Sequence, residues 1–78
     1  MSISMTDART LYVAYIQGQI QRMAPAMRNN PVYVTVDPRT GTSIAFSWPD
    51  LLTEVQRGTA IGNNEAVKYA RQVGYVVT

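Results

Sequence analysis

The chain has no cysteine and no histidine, and only five acidic residues among its seventy-eight. Without cysteine there are no disulfides and no thiolate ligands. Without histidine as well, the usual ligand sets for zinc, copper and haem are missing. So are the general-base and nucleophile arrangements that dominate hydrolysis. These absences argue against an enzyme and imply no metal and no cofactor. Lysine is nearly absent too. Lys68 stands alone beside Arg9, Arg22, Arg28, Arg39, Arg57 and Arg71, for a net charge of +2. That charge is small and spread along the chain, unlike the clustered footprint of a nucleic-acid reader. No apolar run approaches the ~20 residues of a membrane span, and Met1–Met5 has neither the basic flank nor the apolar core of a signal peptide. The expectation is a soluble cytoplasmic protein, or a virion component if the chain is viral, with no membrane partner.

Length is the other scarcity. Seventy-eight residues make one small domain, 1–78, which buries only roughly 60% of its unfolded surface. Small domains usually add disulfides, a metal or oligomerisation. With the first two removed, self-association or docking into a larger assembly remains.

What is present centres on Val32–Phe46. Val32, Val34 and Val36 alternate with Tyr33 and Thr35, the period of a strand with one buried face. Ile44 and Phe46 repeat the alternation after Asp37-Pro38-Arg39-Thr40-Gly41. Asp37 can accept a backbone N–H two residues on, Pro38 pre-sets φ, and Gly41 can take positive φ. The stretch reads as a β-hairpin, and the turn needs those residue types without any ligand.

Before the hairpin, residues 1–5 are expected to fray. A helix is predicted from near Thr6-Asp7, with Ser4 or Thr6 as N-cap. Tyr12, Val13, Ile16, Ile20, Met23 and Ala24 share one arc. Gly18 is a weak point, and Pro25 ends or kinks the helix. Leu11 and Tyr15 lie off the main arc, beside Gly18 and Arg22. Either they pack under the C-terminal segment of the same chain, or they form a second contact surface, since aromatics beside arginine typify interface anchors.

After the hairpin, Ser47-Trp48-Pro49-Asp50 opens a short helix with Ser47 as cap and Asp50 three residues on. Leu51, Leu52 and Val55 bury one side, and Gly58 ends it. Trp48 either lids the core or anchors a partner. Asn63 or Asn64 is expected to cap a third helix over residues 65–73, with Ala66, Val67, Ala70 and Val73 apolar and Gly74 just beyond its end. Tyr75–Thr78 has strand composition and is too short to stand alone, so it should add to the hairpin in this chain or in another copy.

Three chemical readings are weak. Asp50 and Glu54 share a helix face, but as a solvated N-terminal pair. Residues 58–64 form a Gly-containing loop before a helix, yet lack the lysine of a phosphate loop. Residues 51–73 could be a helix-turn-helix, but the linking turn reads as too long.

The order of helix, hairpin with the Asp37–Gly41 turn, and helix over residues 7–57 resembles the layout of small phage head-to-tail joining proteins. The resemblance is one of element order, and it implies a structural assembly subunit.

The expected fold is α+β: N-terminal helix, hairpin, two short helices and a C-terminal strand. The sheet is expected to pack on the first helix, burying Tyr12, Ile16, Ile20, Val32, Val34, Val36, Ile44, Phe46, Leu52 and Val55. The expected function is a non-catalytic protein-interaction module that binds itself or a larger assembly through Leu11, Tyr15, Arg22, Trp48, Tyr75 and Val77. The alternative is a small nucleic-acid-binding regulator that uses Tyr33, Thr35 and Arg39 on the hairpin's outer face together with Lys68 and Arg71.

Overall fold

The computed structural model describes residues 1–78. The order is β1 (Ser2–Ile3), α1 (Met5–Arg22), a 3-10 turn (Pro25–Met27), β2 (Tyr33–Val36), β3 (Ser43–Phe46), α2 (Trp48–Arg57), α3 (Ala60–Gln72) and β4 (Val76–Val77). The fold is mixed α+β.

Three helices make the core, each through an i, i+4 row. α1 contributes Ala8, Tyr12 and Ile16, α2 contributes Leu51 and Val55, and α3 contributes Gly62, Ala66 and Ala70. Rows at this spacing form the ridges by which helices interlock. Ile16, Leu51 and Val55 are the largest fully buried side chains, each worth about 1.5–3 kcal/mol. The small residues in the rows let the helix axes come close.

The caps follow from local chemistry. Ser4 Oγ accepts from the Asp7 N–H at 3.0 Å. Ser47 and Asp50 form a reciprocal capping box. Gly58, at φ 71, closes α2, as expected. At the end of α3 the Tyr75 N–H reaches the Ala70 carbonyl at 2.9 Å and the Gly74 N–H reaches Arg71 at 3.1 Å, the paired bonds of a Schellman ending. Pro25 lies beyond α1, which runs unbroken through Gly18 to Arg22.

Several expectations are overturned. Residues 1–5 are not a loose end: β1 pairs in parallel with β4, Ser2 opposite Val76 and Ile3 opposite Val77. The Val76 N–H donates to the Met1 carbonyl and the Thr78 N–H to the Ile3 carbonyl, both at 2.9 Å. The C-terminal strand therefore joins the N-terminus, not the hairpin. The third helix starts at Ala60, five residues before its expected start, because the Thr59 hydroxyl caps it by accepting from the Gly62 N–H at 3.3 Å. Asn63 lies inside the first turn, and its amide donates back to the Gly58 carbonyl at 3.2 Å. The link between α2 and α3 is thus only Gly58 and Thr59, short where a long turn was expected. Finally, Val32, Val34 and Val36 are exposed and do not enter the core, while Ile20, Phe46 and Leu52 pack against it half-buried.

Gly62 explains why α3 can begin so early. A Cβ there would lie 2.6 Å from the Val55 backbone nitrogen and closer still to the Glu54 carbonyl. Only a residue without a side chain permits this backbone-to-backbone approach. Gly62→Ala, though it favours helix by propensity, is expected to destabilise the fold by on the order of 3 kcal/mol, the upper range for overpacking. Urea unfolding followed by circular dichroism checks this; an unchanged or raised midpoint would contradict the close approach.

Candidate interaction surface

The hairpin's hydrogen-bond phase decides what it presents. The Asp37 N–H donates to the Thr42 carbonyl at 2.9 Å, and the Gly41 N–H to the Asp37 carbonyl at 2.8 Å. Asp37 Oδ1 accepts from the Arg39 N–H at 2.9 Å, and Gly41 sits at φ 70, as the turn chemistry implied. The register then runs Val36–Ser43, Thr35–Ile44, Val34–Ala45 and Tyr33–Phe46. Hydrogen-bonded and non-bonded pairs alternate in an antiparallel ladder. Starting from the bonded Asp37–Thr42 pair, Thr35–Ile44 and Tyr33–Phe46 exchange bonds across the hairpin. The N–H and C=O groups of Val34 and Val36 point the other way, along the free edge of β2.

The same register sorts the faces. Tyr33 and Phe46 face the body, pack against the helical core and meet at 5.9 Å between ring centroids. Thr35 and Ile44 follow them, half-buried. Tyr33 and Thr35 are therefore on the inner face, not the outer one. The outer face carries Val34 and Val36, 61% and 57% exposed, with Ala45 and Ser43 opposite. A cavity of about 390 Å³ separates the hairpin tip from α3, lined by Thr35, Pro38, Ile44 and Ile61 among others. The hairpin is held at its base and stands clear at its tip.

Beside the hairpin's base is an aromatic cluster. Tyr15 stacks on Tyr69 at 4.6 Å, lies 6.2 Å from Tyr12, and meets Trp48 edge-on at 5.8 Å. Tyr12 and Tyr69 lie 5.4 Å apart. Such contacts add about 0.5–1.5 kcal/mol each beyond burial. The structure thus brings two sequence candidates, Tyr15 and Trp48, together, with Tyr15 packed on α3 of its own chain and 36% exposed. Leu11 is half-buried one turn earlier and Arg22 is exposed at the end of α1. Tyr75 and Val77 belong elsewhere. Val77 pairs with Ile3, just before α1, whereas Arg22 ends that helix, ~25 Å away at 1.5 Å per residue. These candidates do not form one patch.

The basic side chains are also dispersed. Arg39 is at the hairpin tip, and Arg71 is exposed on α3. Lys68 pairs with Glu65 at 3.3 Å. A cleft of about 400 Å³ between α1 and α2 is lined by Thr6, Arg9, Thr10, Gln56 and Arg57. Arg9 has a structural task there. Its Nη1 donates to Asn63 Oδ1 at 3.4 Å and lies against Gly58, at the carbonyl end of α2, where a cation offsets the helix dipole. That same dipole end weakens the cleft as an anion site. No three acidic side chains gather as metal ligands, and no helix is long and apolar enough to cross a membrane.

No family model, curated protein or solved structure matches the chain.

The signal missed in the sequence was parity. The length of the turn pairs odd-numbered residues of β2 with even-numbered residues of β3. Ile44 and Phe46 must therefore share a face with Tyr33 and Thr35, never with the valines.

Burial of Tyr12 has a consequence in alkali. Desolvation, then the Glu65 carboxylate and the neighbouring Tyr15 and Tyr33, push its phenol from 10.0 up to about 12. The fold thus favours the neutral phenol. Its stabilising contribution is full below pH ~10 and is lost as pH climbs from there towards about 12. The difference approaches about 2–3 kcal/mol. Tyr12→Phe is expected to flatten the fall in unfolding free energy across that window, and parallel slopes for variant and parent would contradict it.

Proposed function

We propose that this chain is a non-catalytic interaction module that associates with copies of itself and so builds, or joins, a larger assembly, with the β2–β3 hairpin as the contact. One observation carries this reading. A strand rich in β-branched residues presents Val34 and Val36 to solvent on a hairpin whose other face is already committed to the core. Exposed apolar surface of this kind marks interaction sites. The small core and the lack of any disulfide support it. So does the resemblance of the element order over residues 7–57, though not of the third helix and terminal strand, to small phage head-to-tail joining proteins. This moves the proposed contact from Leu11 and Tyr15, whose neighbourhood is packed within the chain, to the hairpin.

Sedimentation equilibrium over a range of concentrations tests it. The parent chain is expected to show a mass that rises with concentration. Val34→Lys with Val36→Lys is expected to stay monomeric with an unchanged circular dichroism spectrum, because exposed substitutions usually shift stability by no more than about 0.5 kcal/mol. A parent that is monomeric throughout would overturn the reading. A double variant that associates like the parent would move the contact away from the hairpin.

A second reading, a nucleic-acid-binding regulator, draws on the short Gly58-Thr59 link, which makes α2 and α3 closer to a helix-turn-helix than the sequence suggests. The dispersed basic residues weigh against it. Random-sequence DNA is expected to show no salt-sensitive binding; affinity that falls steeply with added salt would favour this second reading instead.

A further inference from the structure

Resting on the self-association reading, we infer that two copies join edge to edge through β2, antiparallel about a two-fold axis at Thr35, to form one continuous four-stranded sheet. The edge carries the inference. In this register Val34 of one copy lies opposite Val36 of the other, and Thr35 lies opposite its own counterpart. The outward N–H and C=O groups of Val34 and Val36 are the ones this register uses. Each Val34–Val36 pair exchanges both bonds, as the hydrogen-bonded pairs of an antiparallel ladder do. Shifting the register by one residue would break this match and send the valines to opposite faces.

The occupant is a second copy because the segment complements itself. Val32 to Val36 carries no charge, so a two-fold copy brings no like charges together. Val34 and Val36 of both copies fall on one face of the joined sheet, where cross-strand β-branched pairs contribute. The hairpin packs on the helical core at its base, but a cavity opens under its tip, where neither a helix nor a third strand backs it; a second copy adds strands beside that part. The other edge is a poorer choice, since β3 points Ser43 and Ala45 to the outer face. Pro31 and Pro38 bracket the edge and limit pairing to this short stretch, a common guard against runaway strand addition. So short an edge falls below the ~1,200 Å² of a standard interface, which places the dimer among weak, reversible contacts.

The absence of native cysteine makes single-cysteine cross-linking clean. The Thr35 pair would be a non-bonded one, with Cα atoms ~4.5 Å apart, inside the range a disulfide spans. Two Val34 residues would be diagonal neighbours, ~7 Å apart or more. Under mild oxidation Thr35→Cys is expected to form covalent dimers about ten-fold faster than Val34→Cys or Ile44→Cys. Mixed Val34→Cys and Val36→Cys chains are expected to give mainly the heterodimer, a readout that stands even if Thr35→Cys does not fold. Equal rates among the single variants, faster cross-linking by Ile44→Cys, or no heterodimer excess would overturn the edge pairing. Sedimentation of the parent separates the two claims. If it associates while the cross-linking pattern fails, self-association stands and this geometry falls; if it stays monomeric, both fall.

Discussion

The close crossing of α3 on α2 at Gly62 is the contact on which the rest of the structure depends. Backbone meets backbone there, so α3 folds back on α2 through only Gly58 and Thr59. That tight corner lets Asn63 reach the Gly58 carbonyl and receive Arg9 from α1, joining three helices at one point. It also aims Ala66 and Ala70 into the core and sets Tyr69 over Tyr15 and Tyr12. The aromatic layer then reaches Trp48, at the start of α2, and the base of the hairpin lies against the same core.

A core this small cannot cover everything. Tyr33 and Phe46 fasten the hairpin at its base, and beyond them a cavity opens under its tip. The opposite face leaves Val34 and Val36 largely exposed. Apolar β-branched side chains on an open edge favour another strand. The same economy that leaves the helical core compact leaves the hairpin with an unused face and an unused edge. The proposed association is the physical complement of that arrangement.

Much of the fold was legible because its signals are local. Ser47 and Asp50 cap α2, Gly58 and Gly74 end the last two helices, Pro25 limits α1, and Asp37 with Gly41 builds the turn. Each acts within a few residues of itself. What was illegible depends on distant partners. Gly62, Asn63 and Asn64 have low helix propensity and read as loop; only the approach of α2 shows why a helix tolerates them. Ser2 and Ile3 gave no sign of order because their strand partner is β4, at the other end of the chain. The hairpin is legible in its turn residues, but its phase is set by the turn length and not by the regular valines. The alternating valines read as the buried face of a strand; the register turns Val34 and Val36 outward instead. For Tyr15 and Trp48 the sequence leaves open whether each packs within the chain or faces a partner; that they meet each other is a consequence of how α2 packs on α1.

The most direct measurement of the central claim is amide hydrogen exchange along β2 at several protein concentrations. In dilute solution Tyr33 and Thr35, bonded to β3, should exchange slowly, and Val34 and Val36 quickly. As concentration rises, Val34 and Val36 should become protected while Tyr33 and Thr35 change little. Protection of Val34 and Val36 already in the dilute monomer, or fast exchange at every concentration, would contradict an open edge that a second copy fills.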